Sequence, residues 1–298
     1  MGAGSKNILS FELRTVMCYY NGQKVTHTEF IRLKGIEKLV ANYDFLNRDL
    51  NKGFDYGNTA VLRPYTGESI DFDLTEMEWG FLPDTWYGKA LDTREKVNVF
   101  RNGYKNAQGK FIQGITTLNA MGEELLLPGK IYRESALSRR CLILSSGFYE
   151  WHHYYGINKK TGLPLKTEST VPYHISLKDK NYFYMAGIWK PWTDQVTGEY
   201  VETCSIITTS AIGNPMMEFV HNTKKRMPTI LNEDLGYEWM FGNLSEERIT
   251  ELATTQYNWK EMQAWTIDKK FRDSFDPTEP YVYPEDVPSL EKYLAMAG

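Results

Sequence analysis

The sequence predicts an α+β fold: a single domain of mixed, mostly antiparallel β-sheet, barrel-like, with helices at its periphery. Three observations carry that expectation. Runs of β-branched and aromatic residues separated by turn-forming stretches fill the middle of the chain, from Cys141 to Thr209. A few other segments carry apolar residues at helical spacing. No repeat, low-complexity block or linker divides the 298 residues, so both kinds of element belong to one domain.

In chain order, Phe30, Ile31, Leu33, Ile36, Leu39 and Val40 recur behind the polar start Thr26 to Thr28, which predicts an amphipathic helix from Thr28 to Asn42. Loop and one strand follow, to Gly67. Alternation through Ile70, Phe72, Leu74, Met77 and Trp79 predicts a strand entering Trp79-Gly80-Phe81-Leu82-Pro83 and a turn. Asn98 to Lys110, rich in Asn, Gly and Lys, reads as a loop before a short strand at Phe111 to Thr117. Tyr132 to Arg139 reads as helix. Cys141 to Trp151 and Pro172 to Leu177 read as a hairpin around the turn-rich Asn158 to Pro164; Tyr182 to Trp189 and Tyr200 to Thr209 are two further strands around a turn at Thr193 to Glu199.

A short helix from Asn214 to Val220, a strand from Met227 to Leu231, a helix from Ser245 to Gln256 and a last strand from Met262 to Ile267 complete the domain. The Ser245-Glu246-Glu247 opening suits a helix N-terminus. From Asp273 onward, four prolines and six acidic residues predict a poorly specified tail. The expected organisation is an extension over residues 1–17, a domain over 18–272 and an acidic, Pro-containing tail over 273–298.

Composition narrows the function classes. The longest stretch without a charged residue, Thr203 to Met217, is 15 residues and contains Pro215, too short for a membrane helix, so no membrane partner is expected. Met1 to Val16 lacks the basic and apolar regions of a secretory signal, which makes a cytoplasmic location the expectation. Cys18, Cys141 and Cys204 stand at wide spacing with no Cys-x-x-Cys; free thiols are expected, with neither a disulfide framework nor a zinc site. Five histidines offer no recognisable ligand set and no Gly-rich phosphate loop is present, so no metal and no cofactor are implied.

The formal charge is −4, so a polyanion has to be met by a local patch. Charges are segregated. Thr85 to Lys110 carries six basic residues (Lys89, Arg94, Lys96, Arg101, Lys105, Lys110) against two acidic ones, whereas Asn232 to Leu252 carries six acidic residues against Arg248. The first stretch is suited to an anion and the second to solubility.

Three clusters hold the parts of covalent chemistry: Met17-Cys18, Ser146-Gly147-Phe148-Tyr149-Glu150-Trp151, and Val220-His221-Asn222 running into Lys224-Lys225-Arg226-Met227-Pro228. Each has a plainer explanation taken alone: a small buried thiol, the outward residue of an alternating strand, and a histidine at a helix C-terminus. Together with Trp79-Gly80-Phe81-Leu82-Pro83, Leu118-Asn119-Ala120 and Arg139-Arg140-Cys141-Leu142, they stand in the order found in one family. From Met17 to about Ile267 the chain resembles the SOS-response-associated peptidases, the abasic-site shield proteins.

The resemblance implies binding of single-stranded DNA and covalent capture of abasic sites through a cysteine at the mature N-terminus, as part of the DNA damage response. That cysteine maps to Cys18, the family's active-site asparagine to Asn119, its glutamate to Glu150 and its histidine to His221. A glutamate desolvated between Tyr149 and Trp151 is expected to have a raised pKa and to shuttle protons. The implied DNA contacts are Arg139, Arg140, Lys224, Lys225 and Arg226 to phosphate, with Trp79, Phe81 and Trp86 as stacking or wedge residues. A monomer, nucleoid-associated when bound to DNA, is expected.

Two departures from the family stand out. Met121 occupies the position after Asn119-Ala120 where an arginine is usual, which predicts weaker and more salt-sensitive non-covalent affinity. Cys18 lies behind seventeen residues, so either translation starts at Met17 or the chain cuts itself before Cys18. Two other readings stay open on the residues alone. One is a cysteine hydrolase with Cys18 as an internal nucleophile, His221 as base and Asn222 or Asn119 as orienting group. The other is a non-catalytic sheet module binding glycans through its aromatic side chains.

Overall fold

The computed structural model describes residues 19–297; Cys18 and the 1–17 extension lie outside the described residues. The chain enters as β1 (Tyr20–Lys24), a hairpin β2 (Phe30–Leu33) and β3 (Ile36–Leu39), then β4 (Asn47–Lys52), β5 (Asn58–Pro64) and β6 (Phe72–Trp79). A peripheral layer follows: β7 (Thr85–Trp86), β8 (Lys89–Ala90), helix α1 (Arg94–Asn102), β9 (Tyr104–Lys105) and β10 (Phe111–Ile112). β11 (Asn119–Met121) and α2 (Arg133–Ser138) lead to β12 (Arg140–Ser145), β13 (Gly147–Ile157), β14 (Pro164–Leu177), β15 (Phe183–Thr193) and β16 (Tyr200–Ser210). The remainder is α3 (Pro215–Val220), β17 (Arg226–Pro228), β18 (Ile230–Leu231), α4 (Glu233–Phe241), α5 (Glu246–Ala253), β19 (Met262–Thr266) and α6 (Leu290–Ala297).

Five strands close into a ring. β5 pairs antiparallel with β6 and β12, β12 with β15, and β15 with β16, and a parallel pairing of β16 with β6 shuts the circuit. Closure leaves those strands without a free edge. A second, antiparallel sheet runs β19-β14-β13-β1-β4. Consecutive barrel residues alternate between two cores, as the strand pleat demands. Val61, Ile143, Met185 and Ile206 pack with Phe148, Tyr173 and Ile175 of the second sheet, while Leu62, Leu142, Ala186 and Ile207 pack with Trp239, Ile249 and Leu252 under α4 and α5. The architecture is the expected α+β, barrel-like and mostly antiparallel domain with peripheral helices.

Four expectations need correction. The Thr28 to Asn42 segment is not a helix but the β2–β3 hairpin. Lys34 and Gly35 both take positive φ (47° and 85°), the geometry of a tight two-residue hairpin turn, and buried Ile31 and Leu33 alternate with exposed Arg32. The run from Cys141 to Trp151 is not one strand: it breaks at Ser146, whose N–H donates to the Gly22 carbonyl (2.8 Å) as the chain leaves the barrel for the second sheet. The first five residues of the stretch read as loop, Asn98 to Lys110, belong to α1, capped by Thr93 and buried through Val97 and Phe100.

The tail after Asp273 is tied down at several points. Trp265 Nε1 donates to Thr278 O (2.7 Å), Thr266 to Tyr281 O (2.6 Å) and Tyr283 to Ile267 O (3.0 Å), and Leu290 reaches the main core.

Candidate active site

The break at Ser146 fixes where the Gly147 to Trp151 motif sits. Beyond it, β13 alternates: Tyr149 and Trp151 pack with Tyr20 and Phe271 on one face, and Phe148 enters the main core on the other. Glu150 shares the face of Phe148 and His152 and is 4% exposed. Gly147 is required here, because a Cβ on it would lie 2.2 Å from His174 Nε2. β1 runs antiparallel beside β13 with Asn21 opposite Phe148 and Gly22 opposite Gly147. Beyond that pairing the Tyr20 ring lies 6.5 Å from that of Tyr149 and 5.5 Å from that of Trp151. Tyr19 is anchored by the Gly53 N–H, which donates to its carbonyl (2.7 Å), and by its ring 4.3 Å from that of Phe54.

Asn119 is held from both sides. β11 runs parallel to β16 with Asn119 opposite Ile206, and the preceding Leu118 carbonyl accepts from Ile206 N–H (3.0 Å) and from Trp79 Nε1 (2.9 Å). Asn119 itself is buried.

His221 closes α3. Its N–H donates to Met217 O and its carbonyl accepts from Lys225 N–H, each at 2.8 Å. The Arg226 N–H donates to Nδ1 (3.4 Å), so the neutral ring carries its proton on Nε2. The next residue stitches this turn to β13: Asn222 Oδ1 accepts from His153 N–H (2.9 Å) and Asn222 Nδ2 donates to His153 O (2.6 Å). One residue earlier on β13, His152 Nδ1 lies 2.7 Å from Phe219 O of α3. Glu150 and His221 are therefore carried by elements bonded to each other. Asn222 is a positioning residue here; its only signal in the sequence is adjacency to His221.

The candidate DNA contacts separate by burial. Trp79 and Phe81 are fully buried, Trp79 anchoring Leu118 and Phe81 packed edge-on to Tyr132 (5.3 Å), and neither offers a face to a base. Arg140 is likewise committed within the fold. Its guanidinium donates to the carbonyls of Ala136 and Leu137 in α2 and of Trp239 and Gly242 at the end of α4, tying two helix C-termini together. Burial pulls its pKa down.

Trp86 is half-buried against Phe100 (5.3 Å). Arg139 pairs with Glu134 (2.7 Å) and Lys225 with Glu218 (3.0 Å). Arg226 binds Glu123 (2.8 Å) and Thr208 O (2.6 Å). Burial pushes the Glu123 carboxyl up, but hydrogen bonds from Arg226 and backbone N–H groups outweigh it and hold that carboxyl below its usual range. Lys224 is exposed.

Of the basic run from Lys89 to Lys110, Arg94, Lys96 and Arg101 are committed to Glu78, Glu199 and Asp92, and Lys89, Lys105 and Lys110 are exposed. Cys141 and Cys204 are buried free thiols whose pKa values burial drives upward. Among the described residues no cluster of three or more His, Cys, Asp or Glu is placed to hold a metal ion, and no helix is long and apolar enough to cross a membrane.

The family model described as SOS response associated peptidase matches residues 54–274, from Phe54 beside Tyr19 to the end of the second sheet and beyond. The chain belongs to that family. Within it, the chain is 27% identical over 201 residues to the abasic site processing protein YoqW of Bacillus subtilis, covering 63% of this chain and 82% of that one. It is 26% identical over 205 residues to the abasic site processing protein HMCES of Gallus gallus, covering 64% of this chain and 53% of that relative. Among solved structures, one from Bacteroides thetaiotaomicron superposes with a TM-score of 0.62 at 25% identity, covering 88% of this chain and 97% of the other.

Proposed function

We propose that this SOS response associated peptidase processes abasic sites in single-stranded DNA, capturing them covalently through Cys18 after residues 1–17 are removed. The observation that carries the reading is the pairing of β1 with β13, which brings the N-terminal end of the described chain beside the strand that carries Glu150. Support also comes from the names of the relatives and from the stitched placement of His221 beside the same strand.

In this reading the α-amine of Cys18, with a pKa of roughly 8 against about 10.4 for a lysine, attacks the ring-opened aldehyde and expels water as the imine forms. The Cys18 thiol then adds across the C=N bond and its proton passes to nitrogen, closing a five-membered thiazolidine. Holding both nucleophiles on one residue makes the second step intramolecular. Glu150 relays protons in both steps, Asn119 orients the amine or the sugar remnant, and His221, protonated on Nε2, donates to the opened sugar's hydroxyl. Exposure of the amine follows one of two routes: initiation at Met17 with trimming, or attack of the Cys18 thiol on the Met17 carbonyl. In the second route the peptide bond is exchanged for a thioester, which frees the Cys18 amine; water then hydrolyses the thioester, restoring the Cys18 thiol and leaving a Met17 carboxylate. Lys224, Lys225, Arg226 and Arg139 serve the phosphates, the last three by exchanging an acid partner for a phosphate oxygen.

Intact mass spectrometry before and after incubation with an oligonucleotide bearing one abasic site tests the reading. The expected species are a chain of Cys18 to Gly298, then a product heavier by the oligonucleotide less one water. A fully active protein that keeps Met1 sinks the maturation step, and a matured protein that gains no oligonucleotide sinks the DNA reaction.

A further inference from the structure

The β13–β14 hairpin outgrows the sheet it belongs to. β1 flanks β13 only at Gly147 and Phe148, and β19 flanks β14 only from Tyr173 to Leu177. Beyond Trp151 and Pro172 no third strand pairs with either among the described residues; His152 and His153 still meet Phe219 and Asn222, and past Tyr154 the two strands run on as a pair out to Ile157 and Pro164. A register shift between Tyr155 and Ile157 bends and twists this ribbon. At its end, residues 159–168 are all exposed.

The ribbon's surface is unusual in two ways. Tyr155 to Thr167 contains Lys159, Lys160 and Lys166 and no acidic residue, in a chain whose formal charge is −4. The first acid on the returning strand, Glu168, is already engaged by His153 Nδ1 (2.9 Å). Tyr155, Ile157, Leu163 and Leu165 are also exposed, at 54, 52, 64 and 43%. Lysines alone are the ordinary protection of an unpaired edge; large apolar side chains interleaved with them are not. Cationic groups beside an exposed aromatic ring are instead the combination that single-stranded nucleic acid selects, with phosphate on the lysines and a base or sugar face on the ring.

We propose that this ribbon is a nucleic-acid arm that holds the single strand on one side of the lesion. The inference rests on the abasic-site reading, because Glu150 lies on the same strand at the ribbon's base. From Glu150 to the turn at Lys159 and Lys160 the backbone extends about 30 Å at about 3.3 Å per residue. That matches roughly nine stacked nucleotides at about 3.4 Å each.

The test uses a tetrahydrofuran abasic analogue, which lacks the aldehyde and so reports binding without crosslinking. Fluorescence anisotropy is measured on single-stranded oligonucleotides lengthened on one or the other side of the analogue. Wild-type protein is compared with the triple variant Lys159→Gln, Lys160→Gln, Lys166→Gln and with Tyr155→Ala. The wild type is expected to tighten as one flank grows to about nine nucleotides, and the triple variant to lose that gain. Its log-affinity against log-salt slope should flatten by about 2 for three lost phosphate contacts. Tyr155→Ala is expected to weaken the long oligonucleotide severalfold with an unchanged salt slope.

Crosslinking to a short aldehyde-bearing oligonucleotide and the Tm should stay at the wild-type values in both variants. Equal length dependence and slope in wild type and triple variant overturn the arm while leaving abasic-site capture standing. Loss of short-oligonucleotide crosslinking in the triple variant overturns it too, by placing these lysines in the reaction. Wild-type protein that neither binds nor crosslinks overturns the arm and the abasic-site reading together.

Discussion

His174 illustrates how a single residue in this sheet is set by its surroundings. It sits on β14 opposite Tyr149, whose ring meets it edge-on at 5.0 Å, with the Trp265 ring at 4.6 Å and its Nδ1 buried without a hydrogen-bond partner. Burial lowers its pKa to about 4, against a small upward pull from Asp276. The folded protein thus keeps the ring neutral where the unfolded chain, with a pKa near 6.5, takes up a proton. Stability is full above about pH 6.5 and falls as the pH drops toward about 4, by about 3 kcal/mol from this residue. Chemical denaturation at pH 7, 5.5 and 4 measures the loss, and His174→Phe should flatten that part of the profile. An unchanged profile in His174→Phe would rule the residue out as its source. Nothing in the sequence marks this position beyond its place in a strand; the desolvation comes from aromatic residues 25 or more positions away, Tyr149 on β13 and Trp265 on β19.

At the level of elements, the sequence betrays strands that alternate or form a β-rich run and conceals those whose apolar spacing also suits a helix. Phe72 to Trp79 alternates with one shift of phase, and β15 and β16 are near-continuous buried runs rich in β-branched and aromatic residues; all three fall where the sequence puts them. The β2–β3 hairpin does not, because Phe30, Ile31, Leu33, Ile36 and Leu39 satisfy a helical period as well as two short strands, and only the left-handed Lys34-Gly35 pair decides between them. That ambiguity yields a prediction of sign. In a helix interior Gly35→Ala would stabilise by about 1 kcal/mol. In the observed turn, with φ at 85°, it should destabilise by roughly 1–2 kcal/mol and lower Tm by several degrees, although no atom lies within 4 Å of the added Cβ. A thermal melt of the variant gives the answer; a rise in Tm would favour the helix. The same limit explains the site. Asn119, Glu150 and His221 are legible as motifs, but that Trp79 and Arg140 brace backbone carbonyls rather than face DNA depends on which side of a strand or helix end meets its neighbour.

Over the whole molecule, the net charge of −4 means that a polyanion is held by local groups against an unfavourable background. Several of the basic residues nearest the motifs are already paired with acids, Arg226 with Glu123 and Lys225 with Glu218, so each phosphate contact they make first breaks an ion pair. Met121 ends β11 two residues after Asn119 and two before Glu123. Because Glu123 is occupied by Arg226 and the Ser210 N–H (2.7 Å), a cation placed at 121 stays available to a phosphate. Met121→Arg should therefore tighten binding to a single-stranded abasic-site analogue severalfold at low salt and steepen the log-affinity against log-salt slope by about 0.7, the increment for one phosphate on a single strand. At high salt the gain should vanish, and the mass of the crosslinked product should be unchanged, since the proposed capture through Cys18 assigns no role to this position. A variant with wild-type slope and affinity would mean that phosphate does not pass the end of β11.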